Sequence, residues 1–210
     1  MKCDICPREC KLNNDVSAVG FCGFSLIERE KEIKLARAAL HFYEEPCISG
    51  QNGSGAVFFS GCNLRCVFCQ NHNIANCKVG KAVSIERLAD IFLELQEKKA
   101  HNINLVTPSH YAYQIIDAIK LAREKGLSIP IVYNTSAYDS VETIKALEGY
   151  VDVYLPDYKY ADSKLAGELS RAENYPDKAI VAIREMIRQV GMPVVENGII
   201  KQGVIIRHLV

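Results

Sequence analysis

Cys62, Cys66 and Cys69 are separated by three and then two residues, directly behind the apolar run of residues 56–61. Soft thiolates hold iron, and so short a loop can bring three sulfurs to one iron-sulfur cube. Three ligands on a four-iron cluster leave one iron free to bind something else. Zinc is the competing occupant, but it needs a fourth ligand, which His72 supplies only after a sharp reversal of the chain. Position favours the cluster. The loop leaves the C-terminal end of a predicted first strand, where barrel and open-sheet enzymes place cofactors.

A second thiol group opens the chain: Cys3, Cys6 and Cys10, then Cys22 beside Gly23. A tight pair, a near third and a returning fourth thiol can form a zinc knuckle or hold a second iron-sulfur cluster. Gly20 and Gly23 permit the backbone turn that either needs. Left unligated, such thiols would be open to oxidation. The chain has nine cysteines, an odd number that argues against a closed disulfide framework. Thiols grouped in this way persist as ligands in a reducing compartment. Cys47 reads equally as a small buried side chain or a ligand.

Around these groups lies an ordinary composition of 210 residues, 49% apolar, with 25 basic and 25 acidic side chains. Charge balance supports neither attraction to nucleic acid nor a polybasic membrane patch. No segment interleaves basic and aromatic residues as a nucleic-acid binder does. The start Met1-Lys2-Cys3 lacks an apolar secretory segment, and no apolar run is long enough to span a bilayer, so a cytoplasmic address is expected.

The elements that must position the first thiol group begin at residue 56. Strands are predicted at 56–60, 103–107, 129–133, 151–155 and 203–209, with helices at 84–99, 110–125, 140–148 and 176–190. Apolar strands alternating with amphipathic helices predict a parallel sheet with right-handed crossovers. About five strands are too few for a closed eight-stranded barrel. The run 205–210 reads as a strand interior with no helix after it, as in a fragment or a naturally shortened chain. Two parts are expected: a cysteine-rich extension, 1–50, and an α/β domain, 51–210. Within the first, residues 28–32 read as a solvated charged face. His41, Glu44 and Glu45 read as polar anchors of a lead-in loop or as substrate contacts.

The Cys-x3-Cys-x2-Cys loop, with Phe68 just before its last cysteine, resembles the cluster loop of radical S-adenosylmethionine enzymes. Gln70-Asn71 is similar to the branch grouped with pyruvate formate-lyase activating enzymes, and the cysteine-rich start resembles a less characterised subgroup of their homologues. The resemblance implies a partial (β/α) barrel, here of about five strands, and a [4Fe-4S] cluster on Cys62, Cys66 and Cys69. The free iron of that cluster chelates S-adenosylmethionine, which an electron cleaves to a 5'-deoxyadenosyl radical. Phe68 then lies near the adenine. Thr107 and Pro108 stand where many relatives carry two glycines and a glutamate, and their carbonyls take the methionine ammonium; Ser109 reads otherwise as a helix cap. Asn134 and Thr135 contact the ribose or methionine part, or serve only the turn. Asp157 and Lys159, two apart, share a side in an extended strand and match an Asp-x-Lys element that holds the cofactor, the alternative being a plain surface ion pair. Of Arg207 and His208 one faces inward, and His208 is counted among the cofactor contacts. The implied partners are a glycyl-radical enzyme or other polypeptide substrate and an electron donor such as flavodoxin or ferredoxin. A small-molecule or other macromolecular substrate is the alternative. A non-catalytic module stapled by metal is a third reading.

Overall fold

Hydrophobic rows two residues apart need a surface on each side of a sheet, and this chain supplies two different ones. The computed structural model describes residues 2–11, 15 and 17–208. Its strands are β1 Ile33–His41, β2 Ser54–Phe59, β3 Lys81–Val83, β4 Ile103–Val106, β5 Ile131–Thr135, β6 Val153–Tyr158, β7 Val194–Glu196, β8 Ile199–Val204 and β9 Arg207–His208. Its helices are α1 Leu26–Lys31, α2 Pro46–Ser49, α3 His72–Ala75, α4 Ile85–Glu97, α5 Ala112–Glu124, α6 Val141–Ala146, α7 Ser163–Ser170 and α8 Tyr175–Val190.

β2, β4, β5, β6 and β8 pair in parallel, each beside its predecessor, and β9 continues along β6 past the end of β8. Strands laid down in consecutive order keep all crossover helices on one side, so the sheet curls into a partial barrel rather than a two-faced open sheet. The row Val57, Leu105, Tyr133 and Tyr154 runs across four strands. It is buried in the large core together with Leu88, Phe92, Ile115, Ile119, Ala182 and Met186 of α4, α5 and α8. The opposite, concave face carries a smaller cluster of Val132, Val153, Leu155 and Ile200 around Ile48 of α2. Asn102 Nδ2 donates to Ile48 O at 2.8 Å, holding α2 near the N-terminal ends of the strands.

The expected strands and helices form with shifted ends. The strand expected at 129–133 runs instead from Ile131 to Thr135, and the one expected at 203–209 is not a single strand: β8 starts earlier, at Ile199, and ends at Val204, and β9 follows at Arg207–His208; residue 209 lies outside the described residues. The segment 24–50 holds more structure than its sequence announced. Ser25 and Glu28 form a capping box that starts α1: Ser25 Oγ accepts from Glu28 N and Glu28 Oε2 accepts from Ser25 N. β1 then pairs antiparallel with both β2 and β3. At the far edge β7 lies antiparallel to β8. Among the described residues, no helix is long and apolar enough to cross a membrane.

Candidate functional site

The cysteine loop begins where β2 ends and is tied down along its length. Gly61 N donates to Ile74 O of α3 at 2.9 Å, and Val67 N to Leu169 O of α7 at 2.9 Å. Asn63, fully buried, donates from Nδ2 to Tyr138 O at 2.5 Å. Gly61 takes φ +87°, and a Cβ there would stand 2.5 Å from Cys22 O, so only glycine fits. Cys62 Sγ accepts N–H groups from Leu64 at 3.3 Å and Arg65 at 3.4 Å. Burial pushes the Cys62 thiol up, and these two N–H groups pull it back toward the thiolate. Burial likewise raises the Cys69 thiol, while the Lys159 charge lowers it. Phe68 is about half exposed, with its ring edge-on to Tyr160 at 6.2 Å.

Across the barrel mouth, charged side chains from three distant segments meet. Lys159 Nζ lies 2.7 Å from Asp157 Oδ2, and Arg207 Nε 2.6 Å from Asp157 Oδ1. Arg207 also donates from Nη2 to Asn134 Oδ1 at 2.7 Å and pairs through Nη1 with Glu44 at 3.1 Å and Glu45 at 3.5 Å. The Asp157 and Lys159 side chains are mostly buried, so this is not a pair on an open surface. Burial raises the Glu44 carboxyl above its ordinary range; Arg207 opposes that, and the Glu45 and Asp157 charges add to it. Below, the Tyr175 hydroxyl accepts Lys159 N at 2.8 Å and lies 2.8 Å from Ser136 O and 2.7 Å from Asp157 O, joining the ends of β5 and β6.

Not every expected contact is brought here. Asn134 faces Arg207, but the Thr135 side chain lies on the other face of β5, where its hydroxyl donates to Asp139 Oδ2 at 2.6 Å. Asp139 is fully buried and held above the ordinary carboxylate range by that burial, against the pull of hydroxyls from Ser109, Thr135 and Tyr133. Ser109 therefore serves Asp139 rather than capping a helix. Pro108 O accepts Tyr111 N at 2.9 Å, so that carbonyl is engaged in the 3-10 turn of Ser109–Tyr111. Thr107 takes φ +59°, a strained conformation for a β-branched residue of the kind that gathers at ligand sites. His208 is exposed, its Nδ1 2.7 Å from Tyr158 O, and Arg207 is the inward member of the pair. Tyr175 was missed, because its partners at Ser136, Asp157 and Lys159 lie on other elements; Glu44 and Arg207 were candidates singly, but their meeting had no local signal.

The donor chemistry fits an iron-sulfur cluster carrying S-adenosylmethionine: three thiols on one pinned loop, N–H groups facing one sulfur, and a lysine held beside the loop at a strand end. Among the described residues, no three His, Cys, Asp or Glu side chains converge on the point of a single ion. The model of the Radical SAM superfamily matches residues 56–203, and the chain belongs to that superfamily. Within it, the chain is 30% identical to the uncharacterized protein MJ0674 of Methanocaldococcus jannaschii, over 99% of this chain and 56% of that protein. It is 27% identical to the pyruvate formate-lyase-activating enzyme of Clostridium pasteurianum, over 72% of this chain and 67% of that enzyme. Among solved structures it is similar to methylornithine synthase (PylB), with a TM-score of 0.48 and 18% identity over 70% of this chain and 40% of that one. The chain thus spans about half the length of the first of these relatives.

Proposed function

We propose that this protein binds a [4Fe-4S] cluster through Cys62, Cys66 and Cys69 and uses it to cleave S-adenosylmethionine reductively, for hydrogen abstraction from a polypeptide partner. When bound, cluster and cofactor supply the electron and the cleavable sulfonium, and the protein supplies ligation, orientation and shielding. Lys159 presents an ammonium to the cofactor carboxylate. Asp157, engaged by Lys159 on one oxygen and Arg207 on the other, helps form the site by holding both cations in place. Asn134, oriented by the same arginine, adds an amide at the rim. Phe68 offers an exposed ring face for the adenine. The observation that carries this reading is the Lys159–Asp157–Arg207–Asn134 chain, held at the C-terminal strand ends that also launch the thiol loop.

The similarity to a pyruvate formate-lyase-activating enzyme supports a glycyl-radical partner as substrate and a flavodoxin- or ferredoxin-type protein as one-electron donor. The test is anaerobic. The protein is reconstituted with iron and sulfide, reduced and given S-adenosylmethionine, and 5'-deoxyadenosine is measured for wild type and Cys66→Ala. Formation in wild type and loss in the variant is expected. A well-loaded wild-type cluster with no 5'-deoxyadenosine refutes the reading.

A further inference from the structure

We propose that Cys3, Cys6, Cys10 and Cys22 form a second thiolate metal centre, seated on the cluster loop and joined to it through Arg8. Cys3, Cys6 and Cys22 are buried. The first three thiols sit on a hairpin-like turn: Cys3 N donates to Cys10 O at 3.0 Å, Glu9 N to Cys6 O at 3.1 Å, and Lys2 bridges Lys11 antiparallel. The fourth sits on a turn closed by Gly23 N to Gly20 O at 2.9 Å. These two turns meet at sulfur. Phe21 N donates to Cys10 Sγ at 3.3 Å. A Cβ at Gly20 would stand 3.6 Å from Cys10 Sγ and 3.7 Å from Cys22 Sγ, so both sulfurs lie beside the same glycine. Cys6 lies on the same turn as Cys10, and Cys3 is tied to Cys10 through the main chain. Four gathered thiols suit zinc or an iron-sulfur cluster, which share this donor set. Among the described residues the thiols do not converge on a single point, so loading would have to draw the sulfurs together.

Arg8, between Cys6 and Cys10, makes the joint. Its guanidinium lies over the Phe21 ring at 3.8 Å, so it also clasps the second turn. It then donates to main-chain carbonyls of the cluster loop, Asn63 O at 2.7 Å and Leu64 O at 3.3 Å, and to Ser170 O at 2.6 Å at the C-terminal end of α7. Asn63 and Leu64 lie between the ligands Cys62 and Cys66. Ordering the N-terminal thiols therefore fixes the backbone that presents the other cluster.

The site is tested by metal content, which does not depend on the function proposed above. The full chain carrying Cys62→Ala, Cys66→Ala and Cys69→Ala is reconstituted anaerobically, once with iron and sulfide and once with zinc, and metal and sulfide per chain are measured. It retains one centre, as about four irons or about one zinc; the two arms tell which. Adding Cys6→Ser and Cys22→Ser abolishes it. In the unmutated chain the count is two centres. A folded triple variant without metal, or an unmutated chain whose only centre disappears with Cys66→Ala, overturns the site. The joint does rest on the first cluster. With Arg8→Gln, the N-terminal centre still loads, while iron at the cluster loop passes to a chelator several-fold faster; an unchanged rate overturns the coupling.

Discussion

Asp157 has both carboxylate oxygens engaged, one by Lys159 and one by Arg207, and this sharing decides what either cation can do. Arginine holds Asp157, Asn134 and two glutamates through one planar fork, a geometry that a lysine point charge cannot copy. Arg207→Lys is expected to weaken S-adenosylmethionine binding to the reconstituted protein about tenfold, or ~1.4 kcal/mol, in equilibrium dialysis; unchanged affinity would remove Arg207 from the site. Glu44 gives a pH signature. Its carboxyl is raised in the folded protein, so between its ordinary value of 4.5 and the raised one the fold binds more protons than the unfolded chain. The stability of wild type relative to Glu44→Gln should therefore fall as pH rises through that window, as read by urea unfolding at several pH values. A difference that grows with pH would contradict the raised carboxyl. The spacing of Asp157 and Lys159 was enough to pair them from the sequence alone. Asn134 and Thr135 were expected together as cofactor contacts or turn residues; β5 runs two residues past the expected strand end, so the strand's alternation turns the Thr135 side chain away from that of Asn134. Glu44 lies 163 residues from Arg207, and no local pattern encodes such a meeting.

Four of the five parallel strands were legible because each opens on an apolar run that follows or precedes a helix with a clear apolar face; β8 was expected only at its last two residues, because Lys201, Gln202 and Gly203 interrupt its apolar run. β1 was not expected. Its sequence, Ile33 to His41, is rich in alanine and follows a charged run, and alanine has little preference for a strand; antiparallel pairing with β2 and β3 overrides that weakness. α2 was hidden for a related reason, since one turn of helix has no period to read, yet it seats Ile48 in the concave cluster. Ile48→Ala is expected to cost about 2–5 kcal/mol in denaturant unfolding, whereas a loss well under 1 kcal/mol would show that the concave face is not packed around α2. Tyr175 joins two strand ends through a single hydroxyl. Tyr175→Phe leaves the Lys159 N–H without that acceptor and is expected to cost about 1–3 kcal/mol and to lower cofactor affinity, because Asp157 and Lys159 sit on the strand end it holds. Stability and affinity both equal to wild type would show that the hydroxyl is dispensable.

For the molecule as a whole, thiols that bind metal only when the fold gathers them make loading a source of stability. Removing metal by chelation is expected to lower the melting temperature by several degrees at least, and Cys66→Ala should remove only part of that difference if both thiol groups are loaded. An identical melting curve with and without metal would argue that neither group contributes to the fold. The order of the strands carries a further consequence. Each parallel strand docks on the one made just before it, so a chain emerging from the ribosome can grow its sheet outward without reopening any pair. At each stage the growing edge, opposite the one that β3 forms, waits for the next strand to be synthesised. The edge beside β6 is handled differently: β7 is made before β8 and pairs with its outer side, so β8 can arrive with its exposed flank already covered.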